Sequence, residues 1–219
     1  MSVSYYSPNK DTSILLNNTL SLLTNTFAEE IYSSSIIFDE LELYCKKESL
    51  IRLISFLKDD KSLLFKQLID ITAIDYPANE ERFTVVYNFL SIYYNLRIRI
   101  KCSIKEYEFI DSITSIYTNA GWLEREVWDM YGIYFTGHSD LRRLLTDFGF
   151  KGHPLRKDFP LSGFVEVFYN KNTQKVEYKT VELEQAYRDF STENPWSGNL
   201  VQEASNVLNQ TKQENETEK

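Results

Sequence analysis

Histidine and cysteine are nearly missing from this chain: its 219 residues include two of each. Cys45 and Cys102 lie far apart and no secretory signal precedes them, so two buried free thiols are expected rather than a disulfide. Two cysteines also exclude a four-cysteine iron–sulfur or zinc site built by this chain alone. No apolar run approaches the roughly 20 residues needed to span a bilayer. The first residues, MSVSYYSPNKDTS, contain neither the apolar core of a secretory signal nor the Arg-rich face of a transit peptide. That predicts a protein made where it works, or one already processed. Positive charge is in deficit as well. Lys and Arg total 24 against 32 Asp and Glu, a net charge of −8, which argues against generic nucleic-acid binding.

What remains is an ordinary globular balance, 42% hydrophobic and 26% charged, long enough to bury one good core. Ile, Asn, Lys, Tyr and Phe are frequent while Ala and Gly are scarce. This usage follows AT-rich codons and is expected of an organelle genome or an AT-rich microbe.

Hydrophobic spacing predicts the elements. Leu16, Leu20, Leu23, Phe27 and Ile31 recur at helical intervals, so residues 12–32 read as an amphipathic helix. Residues 35–45 read as one strand, and residues 47–59, with Leu50, Leu53, Ile54 and Leu57 on one face, as a second helix. Strands follow over 67–75 and 82–93, and over 96–102, where Leu96, Ile98, Ile100 and Cys102 alternate with Arg97, Arg99 and Lys101. The short gap between the last two predicts a hairpin. Residues 110–117 read as a further strand. Asn119 is placed to cap a helix over 120–131, and Gly132 to end it in the left-handed conformation. Val165, Val167 and Tyr169, then Val176 and Tyr178, predict a second, smaller hairpin. Leu183, Ala186, Tyr187 and Phe190 read as a helical turn or two, and the polar end as a frayed tail. The expected class is α+β: helices packed on a mostly antiparallel sheet, then a long irregular C-terminal extension. The expected organisation is an α+β domain over 1–131, an extended segment over 132–197 and a polar tail over 198–219.

Six of the seven glycines and both histidines fall between Gly121 and Gly163. From Gly132 onward this stretch has little periodicity. Irregular segments of such length are usually functional or disordered, and its many phenylalanines argue against disorder. His138 and His153 with Asp140, Asp147 or Asp158 lack the spacing of a helical two-His metal site. The ordinary reading of each histidine is a turn-supporting hydrogen bond. Ser139 and Ser162 lack the strand–turn–helix context of a nucleophile elbow. Gly149-Phe150-Lys151-Gly152 matches the G-x-x-G loop of RNA-binding KH domains. That loop must lie between helices, however, and His153-Pro154 and Pro160 follow. No phosphate loop or dinucleotide fingerprint is present.

The charge pattern points to docking. Between His138 and Gly163 lie five basic residues, Arg142, Arg143, Lys151, Arg156 and Lys157, against three acidic ones, Asp140, Asp147 and Asp158. Arginine with aromatics anchors protein interfaces. The alternative is a strap packed on its own domain.

The stretch Glu124-Arg125-Glu126-Val127-Trp128-Asp129 with Gly132-Ile133 closely resembles the 30-kDa family (NADH dehydrogenase subunit 9) of respiratory complex I. So do Leu141-Arg142-Arg143-Leu144-Leu145-Thr146-Asp147 with Gly149-Phe150, and Pro154-Leu155-Arg156-Lys157-Asp158-Phe159-Pro160-Leu161. Gly163-Phe164-Val165-Glu166-Val167 and a late Pro195-Trp196 extend the likeness. The family commonly has His-Pro where this chain has His138-Ser139. The resemblance implies a non-catalytic, structural subunit of the peripheral arm of NADH:ubiquinone oxidoreductase, within its quinone-reducing module. Its partners would be the 49-kDa-type subunit and the subunit that carries the terminal iron–sulfur cluster. FMN, iron–sulfur clusters and ubiquinone would belong to the complex, with no cofactor on this chain. The location implied is the matrix side of the mitochondrial inner membrane, in an organelle-encoded copy. Residues expected at partner contacts are Arg142, Arg143, Asp147, Phe148, Phe150, Arg156, Lys157, Asp158 and Phe159. Asp129, Asp147 and Asp158 would orient the cations, and Gly149, Gly152, Pro154 and Pro160 would set the backbone path.

Overall fold

A computed structural model describes residues 10–183, 185, 187 and 188. The chain divides into two compact units, Met1–Glu166 and Val167–Lys219, so the stretch from Gly132 to Glu166 belongs with the sheet.

The first unit is built on a five-stranded sheet of order β1-β2-β5-β4-β3. Its strands are β1 (Ile31–Ile37), β2 (Glu40–Cys45), β3 (Gln67–Asp75), β4 (Phe83–Ser91) and β5 (Leu96–Ile104). Only β2 and β5 run parallel; the other three pairings are antiparallel. The alternation seen in the sequence sets the register. Leu41 lies opposite Ile98 and Leu43 opposite Ile100; Ile98 faces Phe89 and Ile100 faces Tyr87. All six are buried. Side chains of a strand alternate between faces, so the opposite face carries Glu40, Glu42, Arg97, Arg99 and Lys101. There Arg99 bonds Glu42 at 2.6 Å and Glu40 at 3.0 Å, and Lys101 bonds Glu42 at 2.8 Å.

Helices α1 (Lys10–Thr26), α2 (Leu50–Asp59) and α3 (Ala120–Tyr131) supply Leu16, Leu23, Leu53, Ile54, Leu57 and Val127 to the same core as the sheet. A 3-10 turn, Lys47–Ser49, leads into α2. The expected α+β class holds: helices pack on an open, mostly antiparallel sheet, and β8 (Val165–Asn170) and β9 (Lys175–Thr180) pair as the small hairpin. The two cysteines are free and buried, as expected.

Several elements differ from expectation. The helix read over 12–32 stops at Thr26, and Ile31 begins β1. The single strand read over 35–45 is a hairpin that turns at Phe38 and Asp39, with φ of 51° and 61°. Two-residue hairpins of this twist need left-handed angles at both central positions, and without a glycine there the turn left no sequence signal. The strand read over 110–117 is short, β6 (Phe109–Asp111), and turns follow it. Its partner, β7 (Tyr134–Thr136), runs parallel to it inside the stretch read as irregular. Asn119 does not cap α3. Its backbone is helical and its side-chain amide donates to the Leu68 carbonyl at 3.0 Å. The helical turn read around Leu183 to Phe190 falls partly outside the described residues, and Pro195-Trp196 and the polar tail fall wholly outside them.

Candidate functional site

Helix α3 acts as a spool for the chain that follows it. Val127 and Met130 face the core, and Gly132 ends the helix with φ 78°, its N–H bonded to the Trp128 carbonyl at 2.8 Å. The chain then makes β7 and turns back along the helix, tied to it at both ends by the two histidines. At the first turn, the Asp140 N–H donates into His138 Nδ1 at 3.0 Å. The ring proton therefore lies on Nε2, which donates to the Gly121 carbonyl at 3.0 Å. At the last turn, His153 Nδ1 donates to the Asp129 carbonyl at 2.9 Å. Burial pulls the His153 pKa below its ordinary value, against the opposing pull of the bond to the Asp129 carbonyl. These are the turn-supporting histidines expected from the sequence.

Asp129 is the center of the winding. Its side chain is 0% exposed and accepts five hydrogen bonds. Arg143 Nη1 at 2.8 Å and the Thr146 hydroxyl at 2.5 Å reach Oδ1. The N–H groups of Leu144, Leu145 and Thr146 reach Oδ2 at 2.9, 2.7 and 2.9 Å. Three successive N–H groups aimed at one carboxylate form an anion-binding nest. Burial alone would raise the Asp129 pKa; the Thr146 hydroxyl and these N–H groups outweigh it and hold the carboxyl well below the usual carboxylate range. Arg125 completes the grip by donating to the carbonyls of Arg142 and Arg143, each at 3.1 Å.

A second anchor lies at the end of α3. The Leu155 N–H donates to the Met130 carbonyl at 3.1 Å. Arg156 donates to the Tyr131 carbonyl at 2.6 Å and to Glu106 at 2.8 Å, and lies over the Phe83 ring at 5.1 Å. A guanidinium here also meets the negative end of the helix dipole. The Lys157 N–H donates to Asp75 at 2.7 Å, whose carboxylate is gripped by both arms of Arg82 at 2.8 and 3.0 Å. Arg82 also pairs with Asp158 at 3.0 Å. Strap side chains pack so close to the helix end that a Cβ on Gly132 would sit 2.6 Å from His153 Nε2 and 2.7 Å from Arg156 Nη2.

The nine residues expected at partner contacts therefore fall into two groups. Arg143 and Arg156 point inward and are bonded within the chain, while Phe150 and Phe159 are half-buried, their ring centroids 5.8 Å apart. Arg142, Asp147, Phe148, Lys157 and Asp158 are exposed, with Arg142 paired to Asp140 at 3.0 Å. Phe148 is 101% exposed, and Leu161, which the sequence pattern did not single out, is 88% exposed. Sequence reasoning also missed Glu124, Arg125, Glu106, Asp75 and Arg82. Glu124, 0% exposed, accepts from the Ser112 hydroxyl at 2.6 Å and the Ile113 N–H at 2.8 Å. For Arg82 and Asp75 a faint signal existed, opposite charges flanking the β3–β4 turn; Glu124 and Arg125 stood in the motif that carries the family resemblance but were given no role, and Glu106 had no signal. Gly149-Phe150-Lys151-Gly152 has no helix on either side, and its last carbonyl accepts from Arg143 at 3.1 Å. Among the described residues no group of three or more His, Cys, Asp or Glu is placed to hold a metal ion, and no helix is long and apolar enough to cross a membrane.

Fold and site together define an α+β domain that carries a self-anchored peptide strap with an apolar outer side. The family described as respiratory-chain NADH dehydrogenase, 30 Kd subunit, matches residues 43–165, which take in the end of β2, strands β3 to β5, α2, α3 and nearly all of the strap. The chain belongs to that family. It is 50% identical over 183 residues to the C-type subunit of the NADH-quinone oxidoreductase of Sinorhizobium medicae, spanning 84% of this chain and 91% of the relative. It is equally 50% identical over 159 residues to the same subunit of Paramagnetospirillum magneticum, spanning 73% and 80%. Among solved structures, a chain of the membrane-bound sulfane sulfur reductase, an archaeal respiratory membrane complex, shares the fold. It superposes with a TM-score of 0.57 at 22% identity, over 66% of this chain and 85% of that one.

Proposed function

We propose that this chain is a structural subunit of the peripheral arm of a proton-pumping NADH:quinone oxidoreductase, and that its strap docks onto neighboring subunits of the quinone-reducing module. The single observation that carries this is the two-sided strap. Arg143 and Arg156 anchor it to α3, while Phe148 and Leu161 stand almost free of their own domain. Holding large apolar side chains in water gains a monomer nothing, and exposed apolar clusters on a fixed frame mark protein contacts. The β8–β9 ribbon has the same character. Asn170 bonds Glu177 and Lys179 lies over Phe168 on one face, which leaves Val167, Tyr169, Val176 and Tyr178 exposed on the other. The relatives' name, a subunit of an NADH-quinone oxidoreductase, supports the assembly. The 49-kDa-type subunit and the one that carries the terminal iron–sulfur cluster are the proposed neighbors. In this reading FMN, iron–sulfur clusters and ubiquinone serve the complex while this chain shapes their surroundings.

The codon-like composition supports an organelle-encoded copy on the matrix side of the mitochondrial inner membrane. The relatives named above are bacterial and favor the cytoplasmic side of a bacterial membrane as the second reading; cell fractionation separates the two.

The test is Phe148→Asp in the cell that makes the protein, read by native gel and NADH–quinone turnover. The expected result is an isolated chain of unchanged thermal stability, with the large assembly and its turnover lost. Normal assembly of the variant, together with a Leu161→Asp variant that also assembles, would overturn the docking role.

A further inference from the structure

Cys45 and Cys102 are the only two cysteines in the sequence, and the fold brings them to adjacent positions. Strands β2 and β5 pair in parallel, with Tyr44 opposite Lys101 as the last matched pair. One residue further along each strand lie Cys45 and Cys102, both on the core face with Leu43 and Ile100. Neighboring strands lie about 4.8 Å apart, which falls inside the Cα separation of about 4.4–6.8 Å that a disulfide accepts. The Cys102 thiol hydrogen-bonds the Cys45 sulfur; this bond, and then burial, push the Cys102 thiol far above its ordinary pKa. Cys102 is thereby kept protonated.

Both thiols are buried, so chemistry at the pair needs a path. Cys45 is the last residue of β2 and borders a surface cavity of about 260 Å³ lined by charges of both signs, Lys46, Lys47 and Lys105 with Glu48, Glu81 and Glu108. Its neighbor on the other side is the edge strand β1, and the ladder is irregular there, between Ile31 and Ser33, opposite Cys45. A strand end beside a bulge at a sheet edge is where local opening is easiest.

We propose that Cys45 and Cys102 are a cross-strand dithiol site that hydrogen peroxide converts to a disulfide, covalently tying β2 to β5. Cys45, as thiolate, attacks one peroxide oxygen. The O–O bond breaks, and Cys45 becomes a sulfenic acid with hydroxide released. Cys102 then attacks the Cys45 sulfur and expels the second hydroxide, while its own proton and that lost from Cys45 complete two waters. Two electrons pass from the sulfurs to the peroxide, so two thiols and one peroxide give one disulfide and two waters. Thioredoxin-type dithiols would reverse the reaction. The proposal is independent of the docking role.

The test is hydrogen peroxide added to the folded full-length chain, then alkylation under denaturing conditions and non-reducing peptide mapping. The expected product is a peptide pair joining Cys45 to Cys102, two hydrogens lighter than the free peptides and released by dithiothreitol. In Cys102→Ser, dimedone should label Cys45; in Cys45→Ser, peroxide should leave Cys102 unlabeled. Complete alkylation of both cysteines after peroxide would overturn the proposal. So would sulfinic acid without any disulfide, or a disulfide that forms only after unfolding in urea; the wild-type measurement does not depend on either variant folding.

Discussion

Asp129 and Arg143, fourteen positions apart, meet at 2.8 Å between a fully buried carboxylate and a mostly buried guanidinium. The same guanidinium lies over the rings of Trp128 at 5.7 Å and Phe150 at 5.6 Å. A residue expected to reach out toward another subunit is therefore the peg that fastens the strap to its own helix. Arg156 repeats the arrangement two residues further along the helix, at the Tyr131 carbonyl, and pairs there with Glu106. In the proposed docking role, contact with a neighbor depends first on an intramolecular step, the winding of the strap that leaves Phe148 and Leu161 exposed.

Replacing Asp129 with Ala strands three N–H groups with no acceptor and leaves the Arg143 guanidinium without its counter-charge, held only by the Thr146 hydroxyl and the Gly152 carbonyl. Breaking a buried pair in this way costs about 3–5 kcal/mol. Asp129→Asn keeps one acceptor oxygen and should lose less. Urea unfolding of the two variants beside the native chain checks the order, and an Ala variant as stable as the native chain would contradict the nest.

Acid should loosen the strap before the sheet. The Asp129 carboxyl is held low by its nest, and Asp75 is held low chiefly by the Arg82 hydrogen bond. A carboxylate with a depressed folded pKa contributes stability that is complete above its unfolded value, about 4, and is lost as pH falls through the folded value. Glu124 has the opposite sign. Burial raises its pKa, so its contribution is complete below its unfolded value and is lost as pH rises through the folded one. Urea midpoints measured from pH 7 down to about pH 3 should therefore fall less steeply in Asp129→Asn than in the native chain.

Gly132→Ala and Gly137→Ala separate backbone strain from crowding. Both positions have positive φ, 78° and 82°, but an added Cβ meets His153 and Arg156 at Gly132 and nothing within 4 Å at Gly137. Gly137→Ala should cost only the left-handed penalty, roughly 1–2 kcal/mol. Gly132→Ala should cost more and should also expose the strap to limited proteolysis. Equal losses in the two variants would mean that the strap does not press on the helix end.

The Tyr87 hydroxyl is buried with no hydrogen-bond partner among the described residues. Tyr87→Phe removes an unsatisfied polar atom and keeps the ring, so stability should rise by about 1–2 kcal/mol. Thermal unfolding tests this directly, and a loss on removing the hydroxyl would reveal a partner for it.

How legible the molecule was varied with the range of the interaction involved. Strand β5 was plain because Leu96, Ile98, Ile100 and Cys102 alternate with charge, and a pleated strand with one buried face demands that period. Gly132 was plain because a helix end in the left-handed conformation selects glycine. The turn at Phe38 and Asp39 was hidden, because neighbors rather than a glycine hold those angles.

The sequence by itself determined the family, through the unbroken run from Glu124 to Leu161. It also determined most strands and helices, since side-chain periodicity is local and survives without a structure. Tertiary structure alone decided which cations face inward. Arg142 and Arg143 are adjacent and chemically identical, yet one is exposed and the other is locked to Asp129. Nothing local distinguishes them. The choice is made by a carboxylate fourteen positions earlier in the chain, which is too costly to bury unless the backbone folds back to meet it.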